Sequence, residues 1–202
     1  MSEQLQSDFD KLVKTSKFST EEIKFKKNFL NNFIKNGFPN RKQEDWKFLD
    51  ISQIIKKNIS DLSFFNDYSQ SNKIDPSILV DGLEHNKIIF INGKIEQIDF
   101  NLEDQNKIEI IDETKKDISF DYENSLIDLN SAFTDKVFKI LIKKNYSLKK
   151  PLIIYHSTND KIKSTNINLR LDFELGENSC LKLIDYFSNN NSKNFINIFY
   201  NF

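Results

Sequence analysis

"INLRLDFEL", residues 167–175, is the stretch on which the fold of the second half of the chain turns. Ile167, Leu169, Leu171, Phe173 and Leu175 alternate strictly with Asn168, Arg170, Asp172 and Glu174. A period of two belongs to a strand, so the segment predicts a half-buried strand with its apolar side on a core and its polar side in water. Similar runs surround it from residue 136 onward. "VFKILI" (137–142) and "PLIIYHS" (151–157) precede it; "CLKLIDYF" (180–187) and "NFINIFYNF" (194–202) follow Gly176, the last after an Asn-rich turn. Short strands between tight polar turns suit a sandwich, a barrel or a β-solenoid, and the alternation alone does not choose among them. The last strand is aromatic-rich and apolar on both faces. Such a strand is normally covered, so the expectation is a fragment, the other half of which lies elsewhere.

Upstream the periodicity changes. Ser19 and Glu22 stand at capping-box spacing, and Ile23, Leu30, Phe33 and Ile34, with Phe29 beside them, make one apolar helical face. Gly37 and Pro39 end that helix. A weaker helix is expected around Phe9, Leu12 and Val13, and another through Ile51, Ile54 and Ile55. In "KIIFINGKIEQIDF" (87–100), Asn92–Gly93 between two β-prone runs predicts a hairpin with a type I′ turn. "KIEII" (107–111) offers a third strand, and "ENSLIDLNSAF" (123–133) a helix with Leu126, Leu129 and Phe133 on one side.

The whole chain, 202 residues with net charge −1, has no basic excess with which to neutralise phosphates, so nucleic acid is not an expected partner. Residues 1–60 carry 12 basic and 8 acidic side chains, residues 61–130 carry 6 and 16, and residues 131–202 carry 11 and 6. The swing marks three regions with different surfaces. Only Arg41 and Arg170 are arginines among 29 basic residues, and Lys, Asn, Ile and Phe abound, the mix an AT-rich genome encodes. One cysteine excludes an internal disulfide. The N-terminus lacks a signal-like apolar core, and no apolar run is long enough for a bilayer. The expectation is a cytoplasmic protein without membrane contact.

The chemistry-bearing residues are sparse. Gly37, Gly82, Gly93 and Gly176 form no nucleotide-binding loop. Cys180, His85 and His156 are far apart and lack metal-ligand spacing, so no metal site, bound cofactor or catalytic residue is assigned. Cys180 is expected to be a buried structural thiol. His156, at the end of a strand-like run, and His85, beside Glu84, are expected to be hydrogen-bonded core or edge histidines. The acidic groups of "LEDQNKIEIIDETKKD" (102–117) lack a calcium-loop pattern and are expected in solvated turns. "GFPNRKQEDWKFLD" (37–50) sets the chain's only tryptophan, Trp46, among six charged residues. Arg41, Trp46 and Phe48 are its candidate anchors: either Trp46 holds the loop on the preceding helix, or the trio forms an interface.

"NGFPNRKQEDWKF" (36–48) resembles the G-F-P-x-R-K-x-E-D-W-[KR]-[YF] segment near the start of the SufD family, scaffold subunits of SUF iron–sulfur cluster assembly. "FINGKI" (90–95) is similar to that family's short hairpin. "LNSAFTDKVFKILIKKNYSLKKPLIIYHST" (129–158) resembles the segment leading into its first β-helix strands, and "ELGENSCLKLIDYF" (174–187) a following strand, turn and strand. Leu49 replaces the usual threonine and Lys136 a common glycine. The resemblance implies an α+β chain: an N-terminal helical region (1–60), a small mixed connector with the hairpin (61–135), and the first turns of a right-handed parallel β-helix (136–202). It further implies a non-catalytic scaffold with SufB-like and SufC-like ATPase partners, any cluster being handled by the full complex. Family members are about twice as long, and no cluster-ligating position carries over. Two rivals differ in class. One is a stand-alone β-solenoid module that recruits another chain by β-augmentation. The other is a polysaccharide-acting β-helix enzyme, disfavoured because no acid follows Asp185.

Overall fold

Ser19 opens α2 (Thr20–Asn36) with both halves of the capping box: its hydroxyl accepts from the Glu22 amide at 3.3 Å, and its own amide donates to the Glu22 carboxylate at 2.7 Å. The computed structural model describes residues 1–59, 61–65, 74, 76–113, 124–159, 161–188 and 193–202. The Asn-rich turn and the acidic run beyond Glu113 fall outside them. Gly37, at φ 68°, ends α2, its amide donating to the Phe33 carbonyl at 2.7 Å. The other helices are α1 (Ser2–Thr15), α3 (Ile51–Asn58, capped by Asp50) and α4 (Ser125–Phe133, capped by Asn124).

Aliphatic and aromatic residues together make up what these helices bury. Phe9 and Phe133 meet edge-to-face at 6.1 Å, and Phe33 and Phe38 at 5.0 Å, around the buried Leu30 and Leu129. Each such pair stabilises by about 1 kcal/mol beyond the area it buries. None of the described helices is long and apolar enough to cross a membrane.

The described residues also form eight strands: β1 (Asn86–Ile91), β2 (Lys94–Asp99), β3 (Ile108–Glu113), β4 (Val137–Ile142), β5 (Leu152–Ser157), β6 (Asn166–Leu175), β7 (Leu183–Phe187) and β8 (Phe195–Asn201). The β1–β2 turn forms at Asn92 and Gly93, with φ 54° and 79°. The expected parallel β-helix does not form. The strands make two small mixed sheets in the orders β2–β1–β5–β7 and β3–β4–β6–β8, neither closed nor solenoidal. The physical reason lies in their first strands. Each sheet contains one antiparallel pair, β1–β2 or β3–β4, and gains its remaining strands by parallel pairing. The α+β class itself stands.

The sheets share a core in which Phe90 and Ile154 of the first meet Ile140, Leu169, Leu171 and Phe173 of the second. Gly176 lies where the backbone after β6 passes that after β4: a Cβ there would sit 2.5 Å from the Lys144 amide nitrogen and 2.9 Å from the Ile142 carbonyl. The outward face of β6 departs from expectation. Arg170 and Asp172 are buried, whereas Leu175 at the strand's end is exposed. Part of the cover on that face is α4, which packs on β6 and β8. Asn130 of α4 donates to the carbonyls of Leu169 (3.0 Å) and Asn197 (2.8 Å), and the Asn197 amide donates back to the Leu126 carbonyl at 2.9 Å. Shut away from water, the Arg170 guanidinium bonds the Asp172 carboxylate at 2.9 and 3.3 Å and lies over the Phe199 ring.

Candidate functional site

The 37–50 corner is built on Phe38, which is buried between α2 and the 3-10 turn and meets the rings of Phe33, Phe64 and Phe195. The Ile51 amide donates to the Pro39 carbonyl at 3.2 Å, and a 3-10 turn, Glu44–Trp46, lifts the intervening residues outward. Trp46 is half-buried, Arg41 is exposed, and Phe48 is 86% exposed with the Lys47 ammonium 5.2 Å above its ring. Leu49 and Ile54 are exposed beside them in sequence. All three sequence-selected residues therefore reach the surface on one loop, and the buried aromatic of the corner is Phe38.

Two further polar centres flank β5. At its start Asp104 is fully buried, contrary to the solvated turn expected for the 102–117 stretch. One carboxylate oxygen accepts from the Tyr146 hydroxyl (2.9 Å) and the Lys149 amide (3.0 Å); the other accepts from the Asn86 side chain (2.8 Å) and the Lys150 amide (3.1 Å). Burial alone would raise this carboxyl, but the donors from Asn86, the two amides and Tyr146 outweigh it and hold the carboxyl below the usual range. The clamp fixes the turn that leads into β5.

Near the end of β5, His156 points inward at 4% exposure, its ring stacked on Phe90 (5.7 Å) and Phe187 (4.8 Å). Its Nε2 lies 2.7 Å from Asp185 Oδ1 and 3.0 Å from the Tyr200 hydroxyl, which itself donates to the same Oδ1 at 2.7 Å. Three strands and both sheets thus meet at one point. Burial, and then the Asp185 carboxylate, push the Tyr200 phenol above its ordinary value. Asp185 and Tyr200 escaped the sequence reading, although a signal existed. In Leu181, Leu183, Asp185, Phe187 and in Ile196, Ile198, Tyr200, Phe202 the polar residue stands in the inward phase of its strand, as His156 does after Leu152 and Ile154.

The remaining candidates have plain partners. His85 Nδ1 lies 2.6 Å from the Leu83 carbonyl and Nε2 2.8 Å from the Tyr155 hydroxyl, an arrangement that ties the segment before β1 to β5. Cys180 is exposed, correcting the expected buried thiol; its backbone does the pairing, the amide donating to Tyr146 and the carbonyl accepting from Leu148. Lys26 of α2 donates to the carbonyls of Ser131 and Thr134 at the end of α4, and burial draws its ammonium down to about 8. Among the described residues no three His, Cys, Asp or Glu side chains gather so as to hold a metal ion. No family model matches the chain, and no curated protein matches it.

Proposed function

We propose that the chain is a non-catalytic, SufD-like scaffold subunit of SUF iron–sulfur cluster assembly, working with SufB-like and SufC-like partners. The observation that carries the reading is the 36–48 segment, whose motif residues Arg41, Trp46 and Phe48 reach the surface of one loop, with Phe48 86% exposed. An aromatic so exposed beside a cation suits an anchor for a partner chain, because aromatics and arginine carry most interface energy. The test is purification of the endogenous protein with an antibody against residues 1–60, followed by native mass spectrometry. The reading expects an ATPase and a second scaffold subunit in stable stoichiometry; a product without either overturns it.

A second reading rests on a different observation. Among the described residues β7 and β8 each pair with one neighbour, at the edges of the two sheets, and Ile184, Tyr186, Phe187, Ile196 and Phe202 are exposed along or beside them. Such edges accept an added strand. This module would purify with a single partner protein and without an ATPase.

A further inference from the structure

Three donor atoms, an imidazole nitrogen, a carboxylate oxygen and a phenol oxygen, converge at the β5–β7–β8 junction with separations of 2.7, 2.7 and 3.0 Å. Ligands bound at about 2.1 Å stand about 3.0 Å apart on an octahedral face and about 3.4 Å apart on a tetrahedral one, so the observed triangle fits the octahedral face. The ring stack of Phe90 and Phe187 fixes the imidazole plane. Stacking on Phe173 at 6.1 Å likewise orients the Tyr200 ring. Asp185, at 32% exposure, keeps the point open to solvent on one side.

We propose that His156, Asp185 and Tyr200 form a mononuclear ferric-iron site. Two hard oxygen donors and one imidazole in a facial arrangement suit an octahedral iron ion better than tetrahedral zinc. Binding uses the His156 Nε2 lone pair, freed when the ring proton that Nε2 donates to Asp185 leaves that nitrogen and the ring is held as the Nδ1–H tautomer, together with the Asp185 carboxylate and the Tyr200 phenolate. The phenol proton leaves to solvent, the iron keeps its oxidation state, and water fills the remaining positions. The proposal stands independently of the scaffold reading.

The experiment adds ferric nitrilotriacetate to the purified, tag-free chain near neutral pH, removes excess by gel filtration, and measures retained iron and visible absorption. The expected result is equimolar iron with a phenolate-to-iron charge-transfer band. Tyr200→Phe, which keeps the ring stack, abolishes the band, and both it and Asp185→Asn retain iron at least roughly tenfold less well. A wild-type chain with neither band nor retained iron overturns the proposal. So does a Tyr200→Phe chain that keeps both.

Discussion

The two ends of β5 are each closed by an aspartate, and they differ in what faces it. Asp104 receives four donors, two on each oxygen, and two of the four are backbone amides. Asp185 receives a tyrosine hydroxyl and a histidine ring, both on one oxygen, and a third of its side chain is in water. Backbone donors cannot titrate or turn away, so the first aspartate is a structural clamp. Side-chain partners can exchange a hydrogen bond for a ligand, so the second is chemically open. A carboxylate's role here follows from its partners, not from its burial alone.

Breaking the clamp has the largest expected effect. Asp104→Ala leaves the Asn86 amide and two backbone amides without their acceptor, and should cost about 2–4 kcal/mol in urea unfolding. The same group sets a pH dependence. Its folded pKa lies below the unfolded value, so its stabilisation is present above about pH 4 and lost as pH falls through the folded value. The acid limb of stability should flatten in the variant.

Gly176→Ala comes next. The added methyl meets backbone 2.5–2.9 Å away that cannot swing aside, and a loss of about 1–3 kcal/mol is expected in thermal or urea unfolding. Tyr200→Phe removes the hydroxyl's hydrogen bond to Asp185 and its contact with His156 at the open end, and should cost about 1 kcal/mol. Phe48→Ser is the smallest: stability should stay within about 0.5 kcal/mol, because the ring is already in water, while the proposed scaffold role expects capture of partner subunits to fall.

How far the sequence foretold these differences depends on the range of the interactions. The capping box at Ser19 and the turn at Asn92–Gly93 are local, involve neighbours a few residues apart, and formed as expected. The period of two placed the apolar side of β6 on the core, but could not tell that its other side is also covered. The cover includes Phe199 of β8, over Arg170, and Asn130 of α4, 39 residues from the Leu169 carbonyl it bonds. The same limit applied to the sheets. Alternation specifies strands, whereas pairing of distant strands decides between a solenoid and two open mixed sheets. Asp104 looked like one acid among many in a charged turn, because its donors come from residues 86 and 146–150. Asp185 and Tyr200 were legible only as polar residues in the apolar phase of their strands. Arg41, Trp46 and Phe48 were found by composition and motif, and lie on one exposed loop.

The most direct test of the contrast makes the same change at both ends of β5 and compares urea unfolding of Asp104→Asn and Asp185→Asn. In either orientation the new amide at position 104 turns a donor toward two donors, so about 2–4 kcal/mol should be lost. At position 185 the side chain keeps its oxygen toward His156 and Tyr200 and its amide in water, so the loss should be about 1 kcal/mol or less. Equal losses at the two positions would contradict the account.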